Sequence, residues 1–89
     1  MKSIVSTNLI DAVAASYNCK LVECLTGFKW IGQQILKEER TGVGHYMFGM
    51  EESYGCLIGT YARDKDAVSA TVALCEAAAY YKTKNMTLW

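Results

Sequence analysis

Apolar positions along the chain alternate between short β-branched runs and stretches with helical spacing. Ser3–Ser6 (SIVS) reads as a strand. A helix over Asn8–Tyr17 follows, with Ile10, Val13, Ala14 and Tyr17 on one face. Thr7 or Asn8 is placed to cap its first turn, and Asn18 suits a left-handed stop. Lys20–Leu25 (KLVECL) reads as a second strand, mostly apolar as expected where both faces are covered. Thr26-Gly27 breaks it, and Phe28–Arg40 returns to helical spacing with Phe28, Ile31 and Ile35 on one stripe. After the loop Thr41–Gly44 come two further strands, His45–Met50 and Cys56–Ala62, on either side of the polar turn Glu51–Gly55, with Gly59 interrupting the second. Asp64–Lys82 is the longest helix. Asp64 or Asp66 caps it, and Val68, Thr71, Val72, Cys75, Ala78 and Ala79 form its expected packing side.

The order β-α-β-α-β-β-α predicts an α/β fold. It is a three-layer α/β/α arrangement around a mostly parallel four-stranded sheet, with the fourth strand an antiparallel hairpin partner at the edge. The 89 residues suit one domain, 1–89. A chain with 52% hydrophobic and 20% charged residues has the balance of a folded globule rather than a disordered tail. Nine basic residues oppose nine acidic ones. There is no basic excess of the kind that draws a protein to nucleic acid. The longest apolar run, which includes Ala77–Tyr80 and extends to Tyr81, is far below the roughly 20 residues a membrane helix needs. The cysteines at 19, 24, 56 and 75 form no Cys-x-x-Cys pair, and His45 is the one histidine, so no zinc site is expected. Reduced, mostly buried thiols and the lack of a signal-peptide pattern after Met1-Lys2 point to the cytoplasm. The solitary Trp89 at the end suggests a piece cut from a longer polypeptide.

In open α/β sheets, ligands bind outside the carboxyl ends of the parallel strands. Three loops leave such ends here: Ser6-Thr7, Thr26–Lys29 and Glu51–Gly55. The last carries two adjacent carboxylates and a serine where turn-forming Asn or Asp is commoner. Neighbouring carboxylates repel unless a donor, a ligand or solvent separates them. A polyol's vicinal hydroxyls match this set of acceptors and donors. Each hydrogen bond to a charged group contributes roughly 1.5–3 kcal/mol. Gly49 and Gly55 flank the turn and allow close approach. A solvated acidic turn is the alternative reading. Lys29 and Lys65 are candidate donors or plain surface lysines. Asp64 and Asp66 have metal-like spacing but fit a helix start better. His45 and Trp30 fit structural roles, and Tyr80 and Tyr81 are placed to face other parts of a larger protein.

At these loops the sequence resembles a known family. Phe48-Gly49-Met50-Glu51-Glu52-Ser53-Tyr54-Gly55 is similar to the sugar-binding loop of the α-D-phosphohexomutases. Thr26-Gly27-Phe28-Lys29-Trp30-Ile31-Gly32 resembles the Thr-Gly-aromatic-Lys segment that precedes it. Arg63-Asp64-Lys65-Asp66 resembles an element of the phosphoglucomutase branch. The match runs through the whole chain and implies the third of four domains in a bacterial phosphoglucomutase/phosphomannomutase. By that resemblance Glu51 and Ser53 contact sugar hydroxyls, with Glu52 beside them. Thr26 and Gly27 line the sugar site, and Lys65 is a further donor in the cleft. The substrate implied is a hexose phosphate, turned between its 1- and 6-phosphates through a hexose 1,6-bisphosphate. The phosphoserine, the Mg2+ and the phosphate grip belong to the other three domains.

The chain has no proline, hence no Ser-His-Asn-Pro serine loop, and no Asp-Gly-Asp metal loop. No catalytic residue, metal or cofactor is therefore expected within it, and the isolated chain is expected to be inactive. The acidic turn lacks the His of another branch's Glu-Met-Ser-Gly-His, which favours the phosphoglucomutase side without deciding glucose against mannose. Self-association through surface meant for sister domains is expected. Two alternatives compete: an independent small α/β binding or scaffold module, and a hydrolase using Glu51 and Glu52. Glycosidase acids stand roughly 5–10 Å apart across a bond, an arrangement adjacent turn residues rarely reach.

Overall fold

The computed structural model describes residues Met1–Trp89. In chain order its elements are β1 (Lys2–Ser3), α1 (Leu9–Ser16), β2 (Glu23–Cys24), α2 (Phe28–Thr41), β3 (Phe48–Glu51), β4 (Gly55–Ile58) and α3 (Ala67–Thr83). The strands form one sheet in the order β2-β1-β3-β4. β1 runs parallel to both β2 and β3, and β3 runs antiparallel to β4. The chain order of elements and the antiparallel edge strand are those predicted; the place of β1 between β2 and β3 is set by the structure.

α2 supplies the core. Phe28, Ile31 and Ile35 are buried on one stripe against Tyr46 and Leu57. Gly49 of β3 faces the same side: a Cβ there would stand 2.5 Å from the Tyr46 hydroxyl and 3.0 Å from Ile31. Tyr46 donates its hydroxyl to the Leu57 carbonyl at 2.8 Å, and burial pushes its pKa up. α2 ends at Gly42, whose left-handed backbone (φ 65°) returns its N–H to the Glu38 carbonyl.

The strands are shorter than the apolar runs that announced them. Ile4 and Val5 are not in a strand, as predicted, but in a turn, 54% and 59% exposed. The Ser6 N–H bonds to the Ser3 carbonyl and the two hydroxyls meet at 2.9 Å, which closes the chain on itself before the ladder can extend. In the second run only Glu23–Cys24 joins the ladder, in register with Lys2 and Ser3. The third strand starts at Phe48 rather than His45, because Tyr46 turns into the core; His45 stays exposed outside the sheet. The fourth begins at Gly55 and ends at Ile58, stopped by Gly59 at φ 79°.

The helix termini follow the sequence closely. Thr7 Oγ1 accepts the Leu9 N–H, and Asn18 takes the left-handed conformation (φ 52°) after α1. Asp66 caps α3, accepting from the Val68 and Ser69 N–H groups. The packing side of α3 differs from the prediction. Val68 and Val72 are 74% and 56% exposed, and Thr71, Cys75 and Ala79 are exposed with them. The half-covered residues are Ser69, Ala70, Ala73, Ala77 and Ala78. The Tyr61 hydroxyl donates to Asp66 and meets Ser69 Oγ at 2.6 Å, fixing the rotation of the first turn so that the small residues lie toward the protein. The thiols also differ from expectation. Cys19 and Cys75 are exposed, Cys24 and Cys56 are half-buried, and none is bridged.

Candidate functional site

Because β1, β2 and β3 are mutually parallel, the chain leaves all three at one edge of the sheet. The exits are the turn after Ser3, the Leu25–Gly27 segment and the turn Glu52–Tyr54. Two side-chain links tie them together. Lys65, from the segment between β4 and α3, donates to Glu51 Oε1 at 2.5 Å, and its ammonium stands 5.4 Å from the centre of the Phe28 ring. Ser3, at the end of β1, donates to Glu52 Oε2 at 2.5 Å.

The adjacent carboxylates are thus drawn apart by different donors. Glu51, the last residue of β3, has a side chain 4% exposed and shares its charge with Lys65, which is 32% exposed. The hydrogen bond to Glu51 is the main cause that raises the Lys65 pKa. Glu52 is exposed and tied to β1, and the Ser3 hydroxyl holds its carboxyl below the ordinary 4.5. Each carboxylate thus has one oxygen held by a donor from another part of the chain. Ser53 is exposed in the same turn and makes no hydrogen bond within the chain. Thr26 is exposed at the edge beside Gly27, whose φ of 101° turns the chain into α2. No side chain caps the α2 N-terminus there.

Of the predicted site residues, Glu51 and Lys65 are in direct contact. Phe28 brings the Thr26-Gly27 segment toward that pair, and Glu52 and Ser53 share the turn. Gly55 does allow a close approach, but of Lys65: a Cβ on Gly55 would lie 2.6 Å from Lys65 Cγ. Lys29 lies over the Trp30 ring at 5.3 Å and lines, with Arg63, Asp64 and Lys65, an open groove of about 680 Å³. Trp30 itself is partly exposed there rather than packed. Sequence reasoning missed Ser3, which carries neither charge nor motif, and read Phe28 only as a core residue of α2, not as the ring beside Lys65. It also missed Lys2, fully buried in β1 with Asp11 and Glu23 as partners.

Asp66 is spent on its helix cap, and the Asp64 carboxyl, lowered chiefly by the Lys65 N–H, turns back onto its own backbone. No group of three acidic, His or Cys residues stands close enough to hold a metal ion, so these residues do not fit a magnesium site. A second, more enclosed apolar cleft of about 670 Å³ opens under α1, lined by Val13, Tyr17, Val22, Phe48 and Met50 among others, and contains none of the predicted site residues. No helix is long and apolar enough to cross a membrane.

Residues 1–88 match the family described as phosphoglucomutase/phosphomannomutase, alpha/beta/alpha domain III. The chain is 41% identical over 88 residues to the glucose 1,6-bisphosphate synthase of Homo sapiens, covering 99% of this chain and 14% of that protein. It is 38% identical over 89 residues to the phosphoglucomutase of Staphylococcus epidermidis, covering 98% and 16%. It is 40% identical over 76 residues to the phosphomannomutase of Mycoplasmoides pirum, covering 85% and 14%. No solved structure matches the chain. The chain spans about a seventh of the length of such relatives, and over that span it belongs to the phosphoglucomutase/phosphomannomutase family as its alpha/beta/alpha domain III.

Proposed function

We propose that this chain, a single domain over 1–89, is the sugar-recognising domain of a larger cytoplasmic phosphohexomutase that interconverts hexose 1-phosphate and 6-phosphate. The observation that carries this reading is the buried carboxylate of Glu51 paired with Lys65 at the edge where three parallel strands end. A carboxylate with one oxygen held by an ammonium keeps its other oxygen for a hydroxyl donor, and the ammonium beside it can donate to a neighbouring hydroxyl. The pair therefore suits adjacent sugar hydroxyls. Ser53 adds a group that both donates and accepts, and Thr26 and Gly27 bound the pocket on the α2 side. Glu52 keeps the turn against β1 through Ser3.

On this reading the phosphoryl donor, the Mg2+ and the phosphate-gripping groups come from other domains of the parent protein. The hexose 1,6-bisphosphate forms where those domains meet this one. Phosphoryl transfer depends on positioning and on neutralising charge. This chain supplies the positioning alone and by itself turns over no hexose phosphate.

The test is made in the parent enzyme. Glu51→Gln and Ser53→Ala each remove one charged or polar contact to the sugar and lower kcat/KM for glucose 1-phosphate by about 10- to 100-fold. Unchanged kcat/KM in both variants would sink the reading, as would turnover of glucose 1-phosphate by the purified chain alone.

A further inference from the structure

In the antiparallel register of β3 and β4, Glu51 lies directly opposite Gly55. Side chains so paired stand on one face of the sheet, about 4.5–5.5 Å apart at Cβ. A glycine here leaves the space over Glu51 empty of its cross-strand neighbour. The stem of Lys65 fills that space: a Cβ on Gly55 would stand 2.9 Å from Lys65 Cβ, 2.6 Å from Cγ and closer still to Cδ. The Asp66 N–H bonds to the Cys56 carbonyl at 3.1 Å, which ties the segment beside Lys65 to β4. With its stem lying on the bare Cα of Gly55, the ammonium ends on Glu51 and beside the Phe28 ring.

We infer that Gly55 is a positioning residue whose missing side chain seats Lys65 on Glu51. Any Cβ at 55 strikes the first three carbons of the lysine, not its free end, so the side chain cannot yield by rotating its tip alone. The stem must lift, and the ammonium leaves the carboxylate. Lys65 acts as a cross-strand partner for Glu51 supplied from outside the hairpin. Where the pair serves hydroxyl recognition, as the proposed function has it, Gly55 governs how many oxygens Glu51 has free.

The experiment needs no sugar, so its outcome is separate from that of the proposed function. Competitive acylation of the chain with acetic anhydride, followed by mass spectrometry, reports the reactivity of each lysine. Lys65, held as a paired ammonium, reacts about tenfold more slowly than exposed Lys37. Lys2, fully buried, stays slow as long as the fold is intact. Gly55→Ala raises the Lys65 rate about tenfold, to that of Lys37, with Lys2 still protected. Lys65 remaining slow in Gly55→Ala, with Lys2 protected, overturns the inference. If Gly55→Ala exposes Lys2 as well, Lys65→Ala is added to shorten the stem. Because Lys65→Ala alone would leave buried Glu51 without its partner, Glu51→Gln is made with it; recovery of Lys2 protection in that triple variant supports the inference, and failure to recover it overturns it.

Discussion

The Lys2 ammonium, enclosed in β1, donates to Asp11 at 2.6 Å and lies 3.2 Å from Glu23, while Asn8 Oδ1 stands at 3.4 Å. One cation thus joins the central strand to α1 and to β2. The bond to Asp11 is the first cause that raises its pKa above the ordinary 10.5. A raised lysine pKa contributes stability that is complete below that ordinary value and is lost only as pH climbs through the higher folded value. The tie is therefore fully formed at neutral pH. Few other contacts hold α1, which has no buried residue and stands over the apolar cleft. Lys2→Met should speed amide exchange throughout Leu9–Ser16 by about tenfold or more while leaving the β3–β4 hairpin protected. Hydrogen exchange read by NMR checks this, and equal protection of α1 in both proteins would show that Lys2 does not anchor it.

Each element tells how much of the architecture can be read before coordinates exist. The α2 stripe of Phe28, Ile31 and Ile35 was legible because its period and its burial agree. Asp66, Asn18 and Gly59 were legible because caps and stops are local. The strand bounds were not, since Ser3 and Ser6 close a turn that hydrophobicity alone does not reveal. The orientation of α3 was hidden for a related reason: its exposed side is more apolar than its packed side, and close approach selects alanine over valine. The acidic turn stood out through its adjacent carboxylates, but their partners did not, because Lys65 and Ser3 reach it from distant positions in the chain. The Asp66 cap carries a prediction. Tyr61 is the first cause that holds the Asp66 carboxyl below its ordinary 3.8. A depressed carboxylate contributes stability that is present above the ordinary value and lost as pH falls through the folded one. Asp66→Ala should lower Tm by about 5 °C at neutral pH. That difference should shrink toward zero as pH is taken below 3.8, and circular dichroism melts at several pH values check it.

For the molecule as a whole, buried apolar residues are few. Five form the core: Phe28, Ile31, Ile35, Tyr46 and Leu57. Much larger apolar surface lies outside, including Leu9, Val68, Val72, Leu74, Tyr80 and the fully exposed Trp89. The formal net charge of zero offers no repulsion between copies. The isolated chain should therefore self-associate with rising concentration and bind a hydrophobic dye more strongly than a well-covered domain of its size. Sedimentation showing a clean monomer at high concentration would contradict this. Surface of this kind is what the other parts of a long relative would cover.

The central place of β1 bears on the order in which the domain assembles. β3 and β4 close across the turn Glu52–Tyr54, and that hairpin needs only neighbours in sequence. β1 must instead find Glu23 and Met50, partners far along the chain, before it can slot between β2 and β3. Loop-closure entropy makes such non-local pairings slow relative to a hairpin. The acidic turn is then shaped early, and Ser3 arrives to grip Glu52 only at the last insertion. Within these 89 residues β1 stays idle until the stretch through Met50, just over half of them, is there to receive it.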